Sequence, residues 1–206
     1  MSPRFHALKV KDVRRETAEA VSISFEVPEE LREAYRFSAG QYLTLRRMIG
    51  GEDVRRSYSI CAGEDDGELR VAVKKIDGGV FSSFANENVS PGDEIDVMTP
   101  SGRFLLPQHE GGKRTLIAIA AGSGITPVLA MIRTVLTREP ESEFYLFYGN
   151  KTAQSIIFKE EIENLKDLFP TLLGVFHVLS RETQDVDMLS GRLDADKLQV
   201  LLTHAV

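Results

Sequence analysis

The segment TLIAIAAGSGITP, residues 115–127, determines how the second half of this chain of 206 residues is expected to fold. Its first part, Thr115–Ala121, is a continuous apolar run of the kind found in strands that are buried on both faces of a parallel sheet. The small turn Gly122-Ser123-Gly124 follows directly, and apolar residues then recur at helical spacing after Pro127. A strand, a glycine turn and a helix in this order predict the first unit of a parallel α/β fold.

Two more strand and helix pairs follow this first unit. Apolar runs predict strands over residues 143–148 and 173–179, and apolar residues at helical spacing predict a helix after each strand. The first of these helices is expected to be capped by Ser155 or a neighbour, and the second to cover residues 194–202. The β-α-β-α-β-α succession implies a right-handed parallel sheet, and a sheet that stopped after three strands would leave one edge unprotected.

Before residue 107 the pattern is different, because short alternating runs are separated by turns. The predicted strands lie near residues 21–27, 42–45, 56–60, 69–73 and 94–98, with turns at residues 50–53, 65–67 and 91–93. Five or six closely spaced strands of this kind are typical of an antiparallel barrel or sandwich. We therefore predict two domains, an antiparallel β domain over residues 1–107 and an incomplete parallel α/β domain over residues 108–206.

Composition excludes several classes of function. The net charge of −6 and the sequence pI near 5.3 argue against nucleic-acid binding, which needs a basic face. The single cysteine, Cys61, rules out a disulfide or a four-thiolate cluster within these residues, and we expect it to be a small buried thiol. The four histidines are dispersed, so no metal site is expected, and the acidic run Glu64-Asp65-Asp66 is expected to be a solvated turn. No apolar run is long enough for a membrane span and no leader is recognisable, so we expect a cytoplasmic protein.

Two segments of the first half place chemically useful groups close together. In Arg56-Ser57-Tyr58-Ser59 the arginine and the tyrosine share one strand face, while the two serines point the other way. The pair Gly78-Gly79 precedes a short helical pattern that carries Ser82, which leaves backbone N–H groups free to face a phosphate. Each segment alone also fits an ordinary barrel strand or an ordinary turn. Together, an aromatic ring, an arginine and a glycine helix start predict a flavin site.

These segments resemble those of the ferredoxin–NADP reductase superfamily in order and spacing over most of the chain. The matching segments are Gly40-Gln41-Tyr42, Arg56-x-Tyr58-Ser59, Gly78-Gly79-x-x-Ser82, Pro100-x-Gly102-x-Phe104 and Ala121-Gly122-Ser123-Gly124-Ile125-Thr126-Pro127. The details around Tyr58 and Gly79 are most similar to the reductase components of multicomponent oxygenases, among them the reductase subunits of phenylacetyl-CoA epoxidases. The resemblance implies a Greek-key antiparallel β-barrel that binds FAD, followed by an α/β domain that binds NADP(H).

The resemblance also implies which residues bind FAD. They are Arg56, Tyr58, Ser59, Val73, Lys74, Gly78, Gly79 and Ser82. Among them, Arg56 is expected to contact the flavin diphosphate and Tyr58 to pack on the isoalloxazine ring. The Ser59 hydroxyl is expected near flavin N5, where it would be a catalytic residue. The glycine turn with Ser82 is expected to hold the pyrophosphate.

The second half is expected to bind the nicotinamide dinucleotide. Its turn Gly122-Ser123-Gly124 departs from the usual Gly-x-Gly-x-x-Gly pattern because Pro127 occupies the later position, and a tight packing turn would look the same. In the family this turn receives the dinucleotide, with Thr126 close to the flavin edge as a second catalytic residue. The pair Ser180-Arg181 offers hydroxyl and cationic donors that suit the 2′-phosphate of NADP(H), although a polar loop after a strand is the plain alternative.

The function implied by the resemblance is electron transfer from a reduced nicotinamide. A hydride would pass from NADPH to FAD, and single electrons would then go to an iron–sulfur centre and an oxygenase or other electron-acceptor protein. Complete family members continue with further strands, a Cys-Gly-Pro segment and, in oxygenase reductases, a [2Fe–2S] domain. We therefore expect these 206 residues to bind flavin but to turn over NADPH poorly. A non-catalytic flavin- or nucleotide-binding module and an electron-transfer subunit of a different dehydrogenase are the alternatives.

Overall fold

A computed structural model describes residues 4–205 of the chain as strands and helices that form two compact units. The elements in chain order are β1 (Phe5–Thr17), β2 (Ala20–Glu26), β3 (Tyr42–Ile49), β4 (Glu52–Ser59), β5 (Leu69–Lys74), α1 (Val80–Glu87), β6 (Glu94–Met98), β7 (Thr115–Ala121), α2 (Ile125–Arg138), β8 (Glu143–Asn150), α3 (Lys159–Leu168), β9 (Leu173–Leu179) and α4 (Ala195–Ala205). The first unit comprises the described residues up to Gln108 together with Thr126–Thr134, and the second unit comprises His109–Ile125 and the described residues from Val135 onward.

The first unit is built on a six-stranded antiparallel sheet with the strand order β4-β3-β6-β1-β2-β5. Its edge strands approach each other, because an isolated bridge joins Ile60 to Val71 and the Cys61 N–H donates a 2.9 Å hydrogen bond to the Arg70 carbonyl. The antiparallel sheet of the predicted barrel or sandwich is thereby confirmed. Cys61 is buried, as expected for a small packing thiol.

The connection between β3 and β4 is shorter than predicted. Gly50 and Gly51 alone form the turn, with φ of 60° and 86°, and both values lie in the left-handed region that glycine adopts without steric cost. Glu52 and Asp53, which the sequence predicts as part of the turn, already pair with Ile49 and Met48 in the ladder. The two-residue turn sets the register of the whole β3–β4 hairpin, including the pairs opposite Arg56 and Tyr58.

Helix α1 is held against the sheet by its apolar face. Phe81 and Ala85 of α1 lie in a buried cluster with residues of every strand of the sheet, including Leu8, Ile23, Leu43, Val54, Val73 and Val97. Burial of a side chain such as Phe81 is worth roughly 1.5–3 kcal/mol. The first turn of the helix is therefore fixed beside β4 and β5, where the predicted flavin residues lie.

The second unit contains a parallel sheet with the strand order β7-β8-β9. The register aligns Ala120 with Tyr148 and Tyr148 with His177, so that the three strands end at one edge. Residues of α4 close one face of the sheet, where Leu201 packs with Phe147 and Val178. The predicted parallel α/β arrangement is confirmed.

The prediction that β7 is buried on both faces is wrong. Ile117 is 46% exposed and Ile119 is 53% exposed. They lie on the same sheet face as their register partners Tyr145 and Phe147, but within residues 4–205 the helix on that face covers β8 and β9 only. The cluster under α4 takes its side chains from β8, β9 and the segments around the helix, and it does not include β7. The apolar run Thr115–Ala121 is therefore an edge strand with one uncovered apolar row.

The start of α3 also differs from the prediction. Ser155 does not cap this helix; it forms a reciprocal capping box with Thr152 at the short 3₁₀ turn Ala153–Ser155. The residue that precedes α3 is Phe158, whose φ of 62° is in the left-handed region, where bulky side chains are rarely found. No helix in the part of the chain that the structure describes is long and apolar enough to cross a membrane.

Candidate functional site

The side chains of β4 alternate between the two faces of the sheet, as predicted. Arg56 is exposed, Tyr58 is half-buried, and the charge of Arg56 is close enough to act on the Tyr58 phenol. Ser57 points to the other face, where its hydroxyl lies 2.9 Å from that of Thr44. A cation and an aromatic ring therefore stand side by side on one face of the strand.

Tyr58 connects β4 to the start of α1. Its ring centroid lies 5.8 Å from that of Phe81, in a tilted arrangement. Burial raises the pKa of Tyr58 to about 12, and the positive charge of Arg56 acts in the opposite direction. The phenol is therefore neutral at physiological pH, so that the ring is a rigid and uncharged platform.

The loop between β5 and α1 has the form of a phosphate-binding turn. Gly78 has a φ of 71°, a conformation that a residue with a side chain rarely adopts. The Ser82 hydroxyl accepts a 3.1 Å hydrogen bond from the Ile76 N–H and donates one of 3.2 Å to the Gly79 carbonyl. Among the described residues no side chain caps α1, so the N–H groups of its first turn are left as donors for an anion.

These features fit FAD. The uncapped start of α1 and the exposed Arg56 guanidinium suit a diphosphate, and the Tyr58 ring suits a planar ring system. A side chain at Gly78 would meet no atom of residues 4–205 within 4 Å, so the space over the turn is open. Ser82 uses its only proton inside the loop, so its hydroxyl shapes the turn, and its predicted contact with the pyrophosphate stays a prediction.

Val73 and Lys74, the other two predicted flavin residues, lie at the end of β5. The Val73 side chain is fully buried, and its carbonyl accepts a 3.0 Å hydrogen bond from Asn86 Nδ2. Lys74 Nζ lies 4.0 Å from a carboxylate oxygen of Glu19. The first unit thus brings β4, the end of β5 and the start of α1 together, although the cofactor contacts of Val73 and Lys74 stay predictions.

Ser59 and Thr126, the predicted catalytic residues, are placed by different elements. Ser59 is the last residue of β4, where it pairs with Tyr42, and it is half-buried. Thr126 lies in the first turn of α2 and is 6% exposed. Their part in the chemistry stays a prediction.

The second unit places its glycine turn at the carboxyl ends of the parallel strands. Gly122 has a φ of 51°, and its carbonyl accepts a 2.9 Å hydrogen bond from the hydroxyl of Tyr148 on β8. Burial raises the pKa of Tyr148 well above its usual range, so that this hydroxyl keeps its proton. A side chain at Gly124 would meet no atom of the described residues within 4 Å. A fixed turn with open space above it at this edge of a parallel sheet fits a dinucleotide.

Ser180 and Arg181 stand at the same edge as the glycine turn. The Ser180 N–H bonds to the Asn150 carbonyl and the Arg181 N–H to the Lys151 carbonyl, each at 2.9 Å, so the pairing of β8 with β9 continues past the strands. This pairing puts Lys151 beside the two predicted residues, all three of which are exposed. The nearby Glu182 carboxylate accepts a 2.9 Å hydrogen bond from the Ala153 N–H and is already engaged there. The exposed donors of this cluster suit a phosphate better than a ribose hydroxyl.

The acidic turn Glu64-Asp65-Asp66 differs from the prediction, since the carboxylates of Glu64 and Asp66 bind other parts of the first unit. The Glu64 carboxylate accepts a 2.7 Å hydrogen bond from the Ala39 N–H. The Asp66 carboxylate accepts hydrogen bonds from the Gly63 N–H at 2.6 Å and from Arg133 Nε at 2.5 Å. The expectation of a solvated turn is wrong for these two residues, because Ala39 and Arg133 lie 25 and 67 positions away from them along the chain.

The histidines do not form a metal site among the described residues, where no cluster of three or more potential ligands occurs. Burial lowers the pKa of His177, so its ring is neutral at physiological pH. His109 Nε2 lies 2.9 Å from the Gly112 carbonyl, and His204 Nδ1 lies 2.8 Å from the Val200 carbonyl. These contacts indicate structural roles.

Two family models match the chain, and together they cover both units. The model described as an oxidoreductase FAD-binding domain matches residues 7–105, and the model described as an oxidoreductase NAD-binding domain matches residues 118–205. The first match contains the β4 and α1 residues, and the second contains the glycine turn. The chain belongs to the ferredoxin–NADP reductase superfamily.

Curated relatives of this superfamily include reductase components of oxygenase systems. The chain is 52% identical to a subunit of the 1,2-phenylacetyl-CoA epoxidase of Escherichia coli K12 over 198 residues, which are 96% of this chain and 55% of that protein. It is 35% identical to the ferredoxin reductase component of 3-ketosteroid-9-alpha-monooxygenase of Rhodococcus rhodochrous, covering 94% of this chain and 53% of that protein. The chain thus spans about half the length of the curated relatives it matches.

A solved reductase structure has the same fold. The ferredoxin NADP+ reductase of Neisseria gonorrhoeae, solved with bound FAD and NADP, superposes with a TM-score of 0.77 at 24% sequence identity. The superposition covers 97% of this chain and 76% of that structure. The chain therefore has this reductase fold, and its two domains are the FAD-binding and NAD-binding domains of oxidoreductases.

Proposed function

We propose that this chain is the flavin- and nucleotide-binding part of a reductase that moves a hydride from NADPH to FAD and passes single electrons to an iron–sulfur centre and an oxygenase. The observation that carries the proposal is the meeting of Tyr58 with the uncapped start of α1, which combines a ring platform with anion donors. The relative named as the ferredoxin reductase component of a monooxygenase and the relative named as an epoxidase subunit support the choice of acceptor.

In the first unit, the proposed residues bind FAD and orient its ring. Arg56 and the first-turn N–H groups of α1 hold the diphosphate by charge-assisted hydrogen bonds, and Tyr58 packs against the ring. When bound, FAD supplies the conversion between a two-electron donor and a one-electron acceptor, which is chemistry of the cofactor. The hydroxyls of Ser59 and Thr126 are proposed to donate hydrogen bonds next to the reacting atoms, and we propose residues 1–107 as the flavin domain.

On the nucleotide side, the residues select NADPH. Gly122-Ser123-Gly124 accommodates the dinucleotide, and the cationic and hydroxyl donors of Lys151, Ser180 and Arg181 bind the 2′-phosphate. Glu182 accepts the Ala153 N–H through Oε2 alone, so the choice of NADPH in this proposal rests on the three exposed donors and not on the lack of an acidic partner. We propose residues 108–206 as the nucleotide domain.

The partner is proposed from the relatives' names. The 52% identity to the epoxidase subunit favours an oxygenase that acts on phenylacetyl-CoA as the final electron acceptor. The iron–sulfur centre of this proposal lies outside these 206 residues, because their single cysteine cannot supply four thiolates.

The test separates binding from reduction. The purified chain, freed of cofactor, is titrated with FAD, and binding is measured by the quenching of flavin fluorescence. The loaded protein is then mixed with NADPH without oxygen, and the loss of visible flavin absorbance is recorded. Saturable binding followed by bleaching, even at a slow rate, supports a reductase, whereas binding without any bleaching supports a flavin-binding module. Absence of FAD binding would contradict the proposal.

A further inference from the structure

The loop Lys75–Gly79 is closed by a buried amide that lies outside the loop itself. This amide belongs to Asn86, near the end of α1, which is 7% exposed. A polar side chain at such a position costs free energy unless every one of its polar atoms has a partner. The partners of the Asn86 amide therefore indicate which elements it holds together.

Asn86 joins the two ends of the loop. Its Nδ2 donates to the carbonyl of Val73 at 3.0 Å and to the carbonyl of Ser82 at 2.9 Å. Val73 belongs to β5, which leads into the loop, and Ser82 belongs to the first turn of α1, which leads out of it. The two hydrogen bonds fix the separation between strand and helix, and the loop must span that separation.

Arg15 fixes the amide in turn from a third element, β1. Its Nη1 donates to Oδ1 of Asn86 at 3.2 Å, and its Nη2 donates to the Asn86 carbonyl at 2.7 Å. The first contact orients the amide, because Oδ1 must face the guanidinium and Nδ2 must then face Val73 and Ser82. Four hydrogen bonds thus connect β1, β5 and α1 through one residue.

We propose that Asn86, oriented by Arg15, is a positioning residue for the diphosphate of the flavin. The inference rests on the proposed FAD site at the start of α1, and it adds that the loop is held in its binding shape before the cofactor arrives. An anion held by several backbone N–H groups needs them to converge, and small displacements of the donors weaken all contacts at once. The Ser82 hydroxyl contributes from the first turn of α1, through its hydrogen bonds with Ile76 and Gly79 of the loop.

The test compares FAD with riboflavin, which has the same ring system but no phosphate. Asn86→Leu keeps roughly the size of the side chain and removes all its hydrogen bonds. We expect the Kd for FAD of the cofactor-free variant to rise about ten- to hundred-fold, the loss expected for two or three hydrogen bonds. Riboflavin affinity is expected to stay within about two-fold, because Tyr58 is untouched. The matched control is Asn88→Leu, at an exposed position just after the same helix.

A second variant covers the case in which Asn86→Leu does not fold. Arg15→Met changes an exposed residue and removes the contact that orients the amide together with the contact to the Asn86 carbonyl. We expect a rise in the FAD Kd of about three- to ten-fold. Parallel losses for FAD and riboflavin would mean a general structural role and overturn the inference, as would unchanged FAD affinity in either folded variant. If the unmodified chain fails to bind FAD, the proposed function fails first.

Discussion

The hydroxyl of Tyr148 donates a hydrogen bond of 2.9 Å to the carbonyl of Gly122, and this bond ties β8 to the glycine turn that follows β7. Tyr148 is fully buried, whereas the turn is partly exposed. The same hydroxyl lies 3.5 Å from the Ile157 carbonyl, in the segment that leads into α3. Because the buried phenol keeps its proton, it remains a donor to the Gly122 carbonyl throughout the physiological pH range.

The first prediction follows from this bond. Tyr148→Phe removes the hydroxyl and keeps the ring, so Gly122 loses the hydrogen bond that ties its carbonyl to β8. We expect the Kd for NADP+ to rise about five- to ten-fold, corresponding to one buried hydrogen bond, while FAD affinity is unchanged. Calorimetric titration measures both values. Tyr145→Phe on the same strand, where the hydroxyl lies 3.4 Å from a Glu143 carboxylate oxygen, is the control and should bind NADP+ normally.

The second prediction concerns the cation beside the flavin platform. Arg56→Ala removes the proposed charge-assisted contact to the diphosphate and should weaken FAD binding by about ten- to hundred-fold. The control is Arg55→Ala, because Arg55 pairs with Asp53 at 2.6 Å and belongs to the other face of β4. Fluorescence titration of the cofactor-free proteins gives the affinities. Equal affinities for the Arg56 variant and the unmodified chain would show that the diphosphate lies elsewhere.

The third prediction concerns the choice of nucleotide. Arg181→Ala should raise the Kd for NADP+ by about ten-fold or more and leave the Kd for NAD+ almost unchanged, because only the former has a 2′-phosphate. Calorimetric titration with each nucleotide gives the two values. Lys166→Ala is a suitable control, since Lys166 is exposed in the last turn of α3, just before β9 begins at the opposite edge of the sheet. Equal losses for the two nucleotides would indicate that Arg181 supports the fold.

The fourth prediction concerns the stability of the second unit at low pH. Burial acts to raise the pKa of Glu139, but hydrogen bonds from Arg114 and Ser142 outweigh it and hold the pKa below its usual value. Arg114 binds both carboxylate oxygens, at 2.8 and 2.6 Å. A carboxyl whose pKa is lowered by folding stabilises the folded state above its unfolded pKa, and this contribution disappears as the pH falls through the folded pKa.

Glu139→Gln therefore should lower the free energy of unfolding by about 1–3 kcal/mol near neutral pH. The difference from the unmodified chain should shrink as the pH falls through the lowered folded pKa of Glu139, where the glutamate itself is protonated. Urea unfolding at several pH values measures this. A difference that is the same at every pH would mean that packing, and not the charge, is lost. Glu141→Gln, at an exposed position two residues away, is the control.

Local patterns predicted most of the fold. The predicted bounds of β6 and β9 agree with those observed, because alternation or a continuous apolar run begins and ends there at clear turns. The order of the elements and the family followed from short segments whose spacing is visible in the sequence. The placement of Arg56 and Tyr58 on one face is likewise a local property of a strand.

What the sequence did not predict depends on distant partners. An apolar run looks the same in a central strand and in an edge strand, so the exposure of Ile117 and Ile119 could not be seen in it. The engagement of Asp66 with Arg133 and of Arg15 with Asn86 joins residues 67 and 71 positions apart. The sequence shows Asn86 only as an asparagine in a helix among apolar residues. Its role could be inferred only once its partners on β1 and β5 were known.

The uncovered row on β7 has a practical consequence for all the titrations above. A strand whose backbone groups face no neighbour, as holds for the outer side of β7 in the part of the chain described here, is a template for another strand. Two copies that meet edge to edge at β7 would join their sheets into one and bring Ile117 and Ile119 of each copy together, and the glycine turn at the end of β7 would be carried into that junction. Any such association would make apparent nucleotide affinities depend on protein concentration, and titrations at several protein concentrations would reveal it.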